Sequence, residues 1–191
     1  MSTVSQNLEL LNMIGQKYSP SKNDYEKIKE KCAKKVFSKS KNGTLYGMFF
    51  PYPEMQEYFI YNGKIVGEKA RYDSIYYFDK DNKLLLTEII STSLGKSSNK
   101  YIFFYYFDSY VDCVSVDSLY NPETVGRYES KNGKLIRYIE AYYSRKKELR
   151  WLYEYLFGLK RRKVIRNSYF AETMGHNSKE FTILFSRLMG A

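Results

Sequence analysis

The chain has 191 residues, 43% of them hydrophobic, with 21 Tyr and 12 Phe. That length suits one domain and that apolar content suits a buried core, which excludes intrinsic disorder as a description of the chain. Lys and Arg number 31 against 21 acids, a formal charge of +10 that favours acidic partners, protein or nucleic acid, over basic ones. Cys32 and Cys113 lie far apart and outside any CxxC spacing, so they read as reduced core residues rather than a disulfide or a zinc site. Met1 to Asn7 hold no basic region followed by an apolar stretch. The longest aromatic-aliphatic run, Tyr101 to Phe107, is far short of the ~20 residues that span a bilayer. The expectation is a cytoplasmic protein with no membrane attachment, no metal and no cofactor.

In chain order, Leu8, Leu11 and Ile14 recur at helical spacing and the pattern stops near Gly15, which predicts a short first helix. After Pro20, Asn23 and Glu26 have the spacing of a capping box. Tyr25, Ile28 and Cys32 then share one face of a second helix, with Lys27, Lys31 and Lys34 on the solvated face opposite. The N-terminal helices occupy residues 1–38 in this reading.

From about residue 40 the pattern becomes that of strands. Asn42-Gly43, Asn62-Gly63 and Asn132-Gly133 are the dipeptides that best tolerate the positive φ angles of tight hairpin turns, and each is flanked by strand formers. A fourth reversal, Asp79-Lys80-Asp81-Asn82, separates Ile75-Tyr76-Tyr77-Phe78 from Leu84-Leu85-Leu86. Its acids lack the Gly and the terminal Glu of an EF-hand loop, so calcium is not expected there. Tyr101 to Phe107 has no polar alternation and reads as a mid-sheet strand covered on both faces. Val111 to Val116 predicts a strand with Val111 and Cys113 on one side, Asn121-Pro122-Glu123 a loop, and Leu135 to Tyr143 another strand.

Leu149 to Phe157 fits a helix and a strand equally well. Near the end, Asn177 and Glu180 repeat the capping-box spacing, and Phe181, Leu184, Phe185 and Leu188 form one helical stripe, which predicts a helix over 177–189. The expected fold is α+β in a single domain, 1–191. An antiparallel β-meander of hairpins over residues 40–170 forms a curved sheet, with helices at the N- and C-termini.

No GxGxxG, GxxxxGK[ST], HExxH or GxSxG pattern occurs, and the one histidine excludes arrangements that need two. His176 lies in Met174-Gly175-His176-Asn177-Ser178. It reads first as a structural loop residue and, alternatively, as the proton-transfer group of a metal-independent ribonuclease, with Arg161, Arg162 or Lys163 stabilising the phosphorane-like charge. Positive charge concentrates over 141–170, where Arg145, Lys146, Lys147, Arg150, Lys160, Arg161, Arg162, Lys163 and Arg166 face only Glu148 and Glu154. Trp151, Tyr153 and Tyr155 fall in the same segment. Cations beside stacking aromatics suit single-stranded RNA or DNA, and a solvated basic hairpin over core aromatics accounts for the same residues.

The Asn-Gly-Lys-aliphatic segments, together with Phe78-Asp79-Lys80-Asp81-Asn82-Lys83-Leu84, resemble the Tyr/Phe-Asp-x-x-Gly/Asn-Arg/Lys-Leu units of YD and MORN-like β-hairpin repeats. The resemblance covers roughly residues 40 to 90 and 127 to 143, and such repeats are common in bacterial toxin and antitoxin systems. It implies a small bacterial immunity protein or antitoxin that neutralises a cognate toxin by covering its active surface, without catalysis. The leading expectation is therefore a non-enzymatic protein that binds an acidic protein partner, with the cations and aromatics between Arg145 and Arg166 as the contact residues. Single-stranded nucleic-acid binding is the alternative, and the His176 ribonuclease a second.

Overall fold

The computed structural model describes residues 4–40, 48–58, 63–91, 98–143, 149–157, 164–170 and 180–185. The chain opens with α1 (Val4–Lys17) and α2 (Lys22–Lys31), then β1 (Lys34–Ser40), the short α3 (Pro53–Tyr58) and β2 (Gly63–Val66). There follow β3 (Ser74–Phe78), β4 (Leu84–Ser91), β5 (Ser98–Tyr106), β6 (Tyr110–Val116), β7 (Pro122–Lys131) and β8 (Lys134–Tyr143). The described chain ends with β9 (Leu149–Phe157), β10 (Val164–Phe170) and β11 (Glu180–Phe185). In the sheet, β3 through β11 lie side by side in chain order as an antiparallel meander, and β1 sits between β3 and the terminal strand β2. The arrangement is α+β, as the sequence predicts.

Tight reversals set much of this order. At Asn132-Gly133 both residues have positive φ, 53° and 73°, and Lys131 pairs with Lys134 across the two-residue turn. The Asp79 loop uses a different device. The Asp79 carboxylate accepts from the amides of Asp81 (2.9 Å) and Lys83 (2.8 Å), while Asn82 takes φ 58°. The same geometry recurs between β6 and β7, where Asp117 accepts from Leu119 and Asn121, both at 2.8 Å, and Tyr120 takes φ 62°. A tyrosine is an unusual occupant of that conformation, and its ring stacks on Tyr101 at 5.3 Å, nearly parallel.

Several expectations change. The second helix is capped by Ser21, whose hydroxyl accepts from the Asp24 amide while the Asp24 carboxylate accepts from the Ser21 amide, so the predicted Asn23/Glu26 box is replaced by the same spacing two residues earlier. The helix stops at Lys31, and the Ala33 amide already bonds to the Phe78 carbonyl at 2.8 Å. Lys34 therefore opens a strand instead of extending a helical face. Val36 and Phe37 favour that state, and β1 has a hydrogen-bonded neighbour on each side. Gly63 starts β2, whose partner is β1, with α3 in the connection. Asn62 and the Asn42-Gly43 pair lie outside the described residues.

The undecided segment 149–157 is strand β9, paired with β8 on one side and β10 on the other. At the C-terminus, Glu180–Phe185 forms β11 against β10 instead of the predicted helix. Phe181, Ile183 and Phe185 alternate as well as the same run fits a helical stripe, and pairing along β10 selects the extended form. Val111 and Cys113 are buried as expected, but so are Asp112, Val114, Ser115 and Val116, so β6 is covered on both faces.

Contacts divide the chain into two compact units, each assembled from separated stretches. The first comprises Met1–Tyr18, Tyr106–Asp112 and Glu123–Ala191, and the second Ser19–Tyr105 and Cys113–Pro122. In the first, Leu11 and Ile14 of α1 are buried together with Val125, Ile139, Ala141 and Leu152, and Gly15 sits so close to Val125 that an added Cβ would lie 3.4 Å from it. In the second, Met55, Tyr76, Leu84, Leu86 and Phe103 are buried.

Candidate interaction surface

Among the described residues four acidic side chains, Glu88, Asp112, Glu140 and Glu154, are buried, while Glu9, Glu30, Glu68, Asp81 and Asp108 are exposed. In the first unit Asp112, 1% exposed, takes two hydrogen bonds from the Arg127 guanidinium, at 2.6 and 3.0 Å. Arg137 reaches Glu154 at 2.8 Å, Glu129 at 3.3 Å and the Asn7 side chain of α1. Glu140 accepts from the Tyr138 hydroxyl at 2.8 Å. In the second unit Glu88, 6% exposed, accepts from the hydroxyls of Tyr25 (2.9 Å) and Tyr77 (3.0 Å) and from the Asn99 amide (2.9 Å), which fixes α2 to β4. Buried carboxylates satisfied in this way hold elements together.

The same cluster makes the fold sensitive to alkali. Burial first, and then the Glu88 charge, push the phenols of Tyr25 and Tyr77 well above their ordinary range, and Tyr120 is pushed up to about 12, chiefly by burial. A phenol that ionises less readily in the fold than in the unfolded chain stabilises the fold fully below the unfolded pKa of about 10 and loses that contribution as pH rises through the folded value. Stability measured by denaturant titration should stay level with respect to these groups up to about pH 10 and fall from there toward 12. Phenolate absorbance should rise together with unfolding. Titration of every tyrosine near 10 in a chain that stays folded would contradict this.

The residues singled out in the sequence are only partly brought together. Arg145, Lys146, Lys147, Lys160, Arg161, Arg162, Lys163 and His176 lie outside the described residues. Arg150 is exposed, at the step where the β8–β9 register slips between Tyr142 and Tyr143. Trp151 and Tyr153 are half-buried, with Trp151 5.3 Å from the Tyr142 ring. Tyr155 is 1% exposed and stacks on Tyr138 at 5.6 Å, which removes it from any contact surface. It belongs to the core because β9 runs between two neighbours and places it directly opposite Tyr138. Arg166 lies on β10, in register with Tyr155.

A second basic surface, not anticipated from the sequence, is formed by β1 and β2. Lys39 and Lys64 stand directly opposite each other across the two strands, and both are exposed. The two-residue period of a strand puts Lys35, Phe37 and Val66 on the same side as this pair, and Phe37 rests on Tyr72 at 4.9 Å. Ile65 falls on the other side, 58% exposed. Lys69 and Arg71 follow β2 and are exposed too. Among the described residues no carboxylate pairs with Lys39 or Lys64, so two like charges face each other uncompensated, an arrangement that weakens a sheet. The alternation of Lys35, Phe37 and Lys39 carried the signal, but extending the helix through Lys34 concealed it.

Among the described residues, no group of three His, Cys, Asp or Glu side chains could hold a metal ion, and no helix is long and apolar enough to cross a membrane. The chain matches no family model, no curated protein and no solved structure.

Proposed function

We propose that the chain is a non-enzymatic interaction protein whose basic surface binds an acidic protein partner, a bacterial toxin if the resemblance to repeat proteins of toxin and antitoxin systems holds. One observation carries the reading. Asp112, Glu88, Glu140 and Glu154 are buried against internal donors, whereas Lys34, Lys35, Lys39, Lys64, Lys69 and Arg71 are all exposed. A net positive charge distributed evenly would give weak steering. Around β1 and β2 these six cations are exposed beside one exposed acid among the described residues, Glu68, and that local excess of positive charge speeds encounter with an acidic surface and disfavours basic ones. Action in the cytoplasm on a toxin held inactive by coverage of its surface accords with this.

The test is capture of partners from nuclease-treated lysate of the source organism, followed by reconstitution with the purified captured protein. An acidic protein should bind, with affinity falling less than about tenfold between ~50 and ~200 mM salt, whereas a contact made mainly to phosphates loses on the order of a thousandfold or more. Submicromolar binding of short single-stranded RNA or DNA with that steep salt dependence would replace the reading with nucleic-acid recognition. RNA cleavage that disappears in His176→Ala would replace it with the ribonuclease.

A further inference from the structure

We propose that the outer edge of β2 accepts an extended acidic segment of the partner as an additional strand of the sheet. The inference rests on the acidic-protein reading above and assigns it a mode of binding. Among the described residues β2 is the terminal strand in the sheet order and its one strand neighbour is β1, so the backbone groups that point away from β1 are those to which an added strand bonds.

The side chains specify what that strand must be. Lys64 projects to one side of β2 beside Lys39, and Ile65, 58% exposed, projects to the other. A neighbouring strand with acids at alternate positions sets a carboxylate beside Lys64, with Lys39 one strand further in on the same side, and its remaining residues beside Ile65. An alternation of acidic and aliphatic residues therefore matches both faces at once, and a shift by one residue would set the aliphatics against the lysines and the acids against Ile65. The Lys39–Lys64 pair, to which no carboxylate is paired among the described residues, gains a counter-charge when such a strand arrives. Lysines on an edge also repel basic strands and disfavour uncharged ones, which would desolvate the ammonium groups without pairing them, and this confers selectivity on an otherwise open ladder. A second copy of this chain is a poor occupant, because pairing β2 with β2 brings further lysines together.

The test uses the full chain and a fluorescent, N-acetylated peptide of about eight residues that alternates glutamate with valine. Its comparator has the same charge and length with proline in place of every valine, so it cannot extend a ladder. The alternating peptide should bind, the proline peptide at least about tenfold more weakly, and the amides of residues 63–66 should exchange with solvent about tenfold more slowly in the complex. Lys39→Glu combined with Lys64→Glu should weaken binding about tenfold, while Lys80→Glu with Lys131→Glu, an equal change in net charge at exposed turns, should weaken it less than about twofold.

No binding of the alternating peptide, equal binding of the proline peptide, equal loss in both double variants, or unchanged exchange in β2 would each overturn strand addition. The acidic partner reading survives any of these if the captured acidic protein still binds. It falls as well only when that protein fails to bind and nucleic acid does.

Discussion

Replacing Arg137 by Met should lower stability by about 3 to 5 kcal/mol, the loss expected when one member of a buried ionic group is removed and the others stay behind. Arg137 and Glu154 are 14% and 11% exposed, so in the variant a carboxylate is left with little water and without the Arg137 charge. Asn7, buried on α1, loses its hydrogen bond to Arg137 in the same step. Glu129, at 29% exposure, is partly solvated and should contribute the smaller share. For a chain of this size the loss corresponds to a fall in Tm of about 10 °C. The companion variant, Arg137→Met with Glu154→Leu, should recover much of it, because neither the cation nor its closest carboxylate then remains buried. Thermal unfolding of the two variants checks both statements, and an Arg137→Met protein within about 1 kcal/mol of the parent would show that the cluster does not hold α1 to β8.

Glu88→Leu should cost about 3 kcal/mol or more, although the side chain keeps roughly the same volume. Two tyrosine hydroxyls lose the carboxylate that accepts from them, the Asn99 amide keeps its 3.4 Å bond to the Tyr101 hydroxyl, and a buried donor without a partner costs about 1 to 3 kcal/mol before rearrangement. Tyr25→Phe and Tyr77→Phe should each cost only about 1 kcal/mol in the parent and nearly nothing in the Glu88→Leu background, since the bond they remove is already gone. A double-mutant cycle measured by urea unfolding reads this coupling directly. Additive losses would mean that the hydroxyls find other acceptors. Between about pH 10 and 12 the variant should lose less further stability than the parent, because without the Glu88 charge the folded pKa values of Tyr25 and Tyr77 lie closer to the unfolded value.

What could be read from the sequence was local chemistry. The reversals at Asp79-Asn82 and Asn132-Gly133 depend on residues that tolerate positive φ, so they and the meander around them were legible. Tyr120 adopts the same conformation with no such signature, because the carboxylate of Asp117 and the ring of Tyr101 sustain it. The end of α2 was placed too late because Cys32 and Lys34 continue its periodicity, while the competing bond from Ala33 to Phe78 joins residues far apart in sequence. The same distance hid the candidate site. Lys39 and Lys64 become neighbours only through the β1–β2 register, and Glu88 meets Tyr25 across 63 positions. The aromatic-rich segment 149–157 illustrates the reverse case, in which composition suggested a surface and pairing on both sides placed Tyr155 in the interior.

The pairing of α1 with β8 sets the order of folding against the order of synthesis. Asn7 meets Arg137 across 130 positions and Asn12 meets Tyr143 across 131, so the helix leaves the ribosome long before its docking site exists. At roughly 5 to 20 residues per second, the nascent chain carries Leu11 and Ile14 without their native cover for on the order of ten seconds. Over that interval most of the second unit has already emerged and can begin to collapse by itself. A holdase that shields short amphipathic helices would act in that window, and the yield of native protein in a cell lacking one would depend on how fast translation reaches β8.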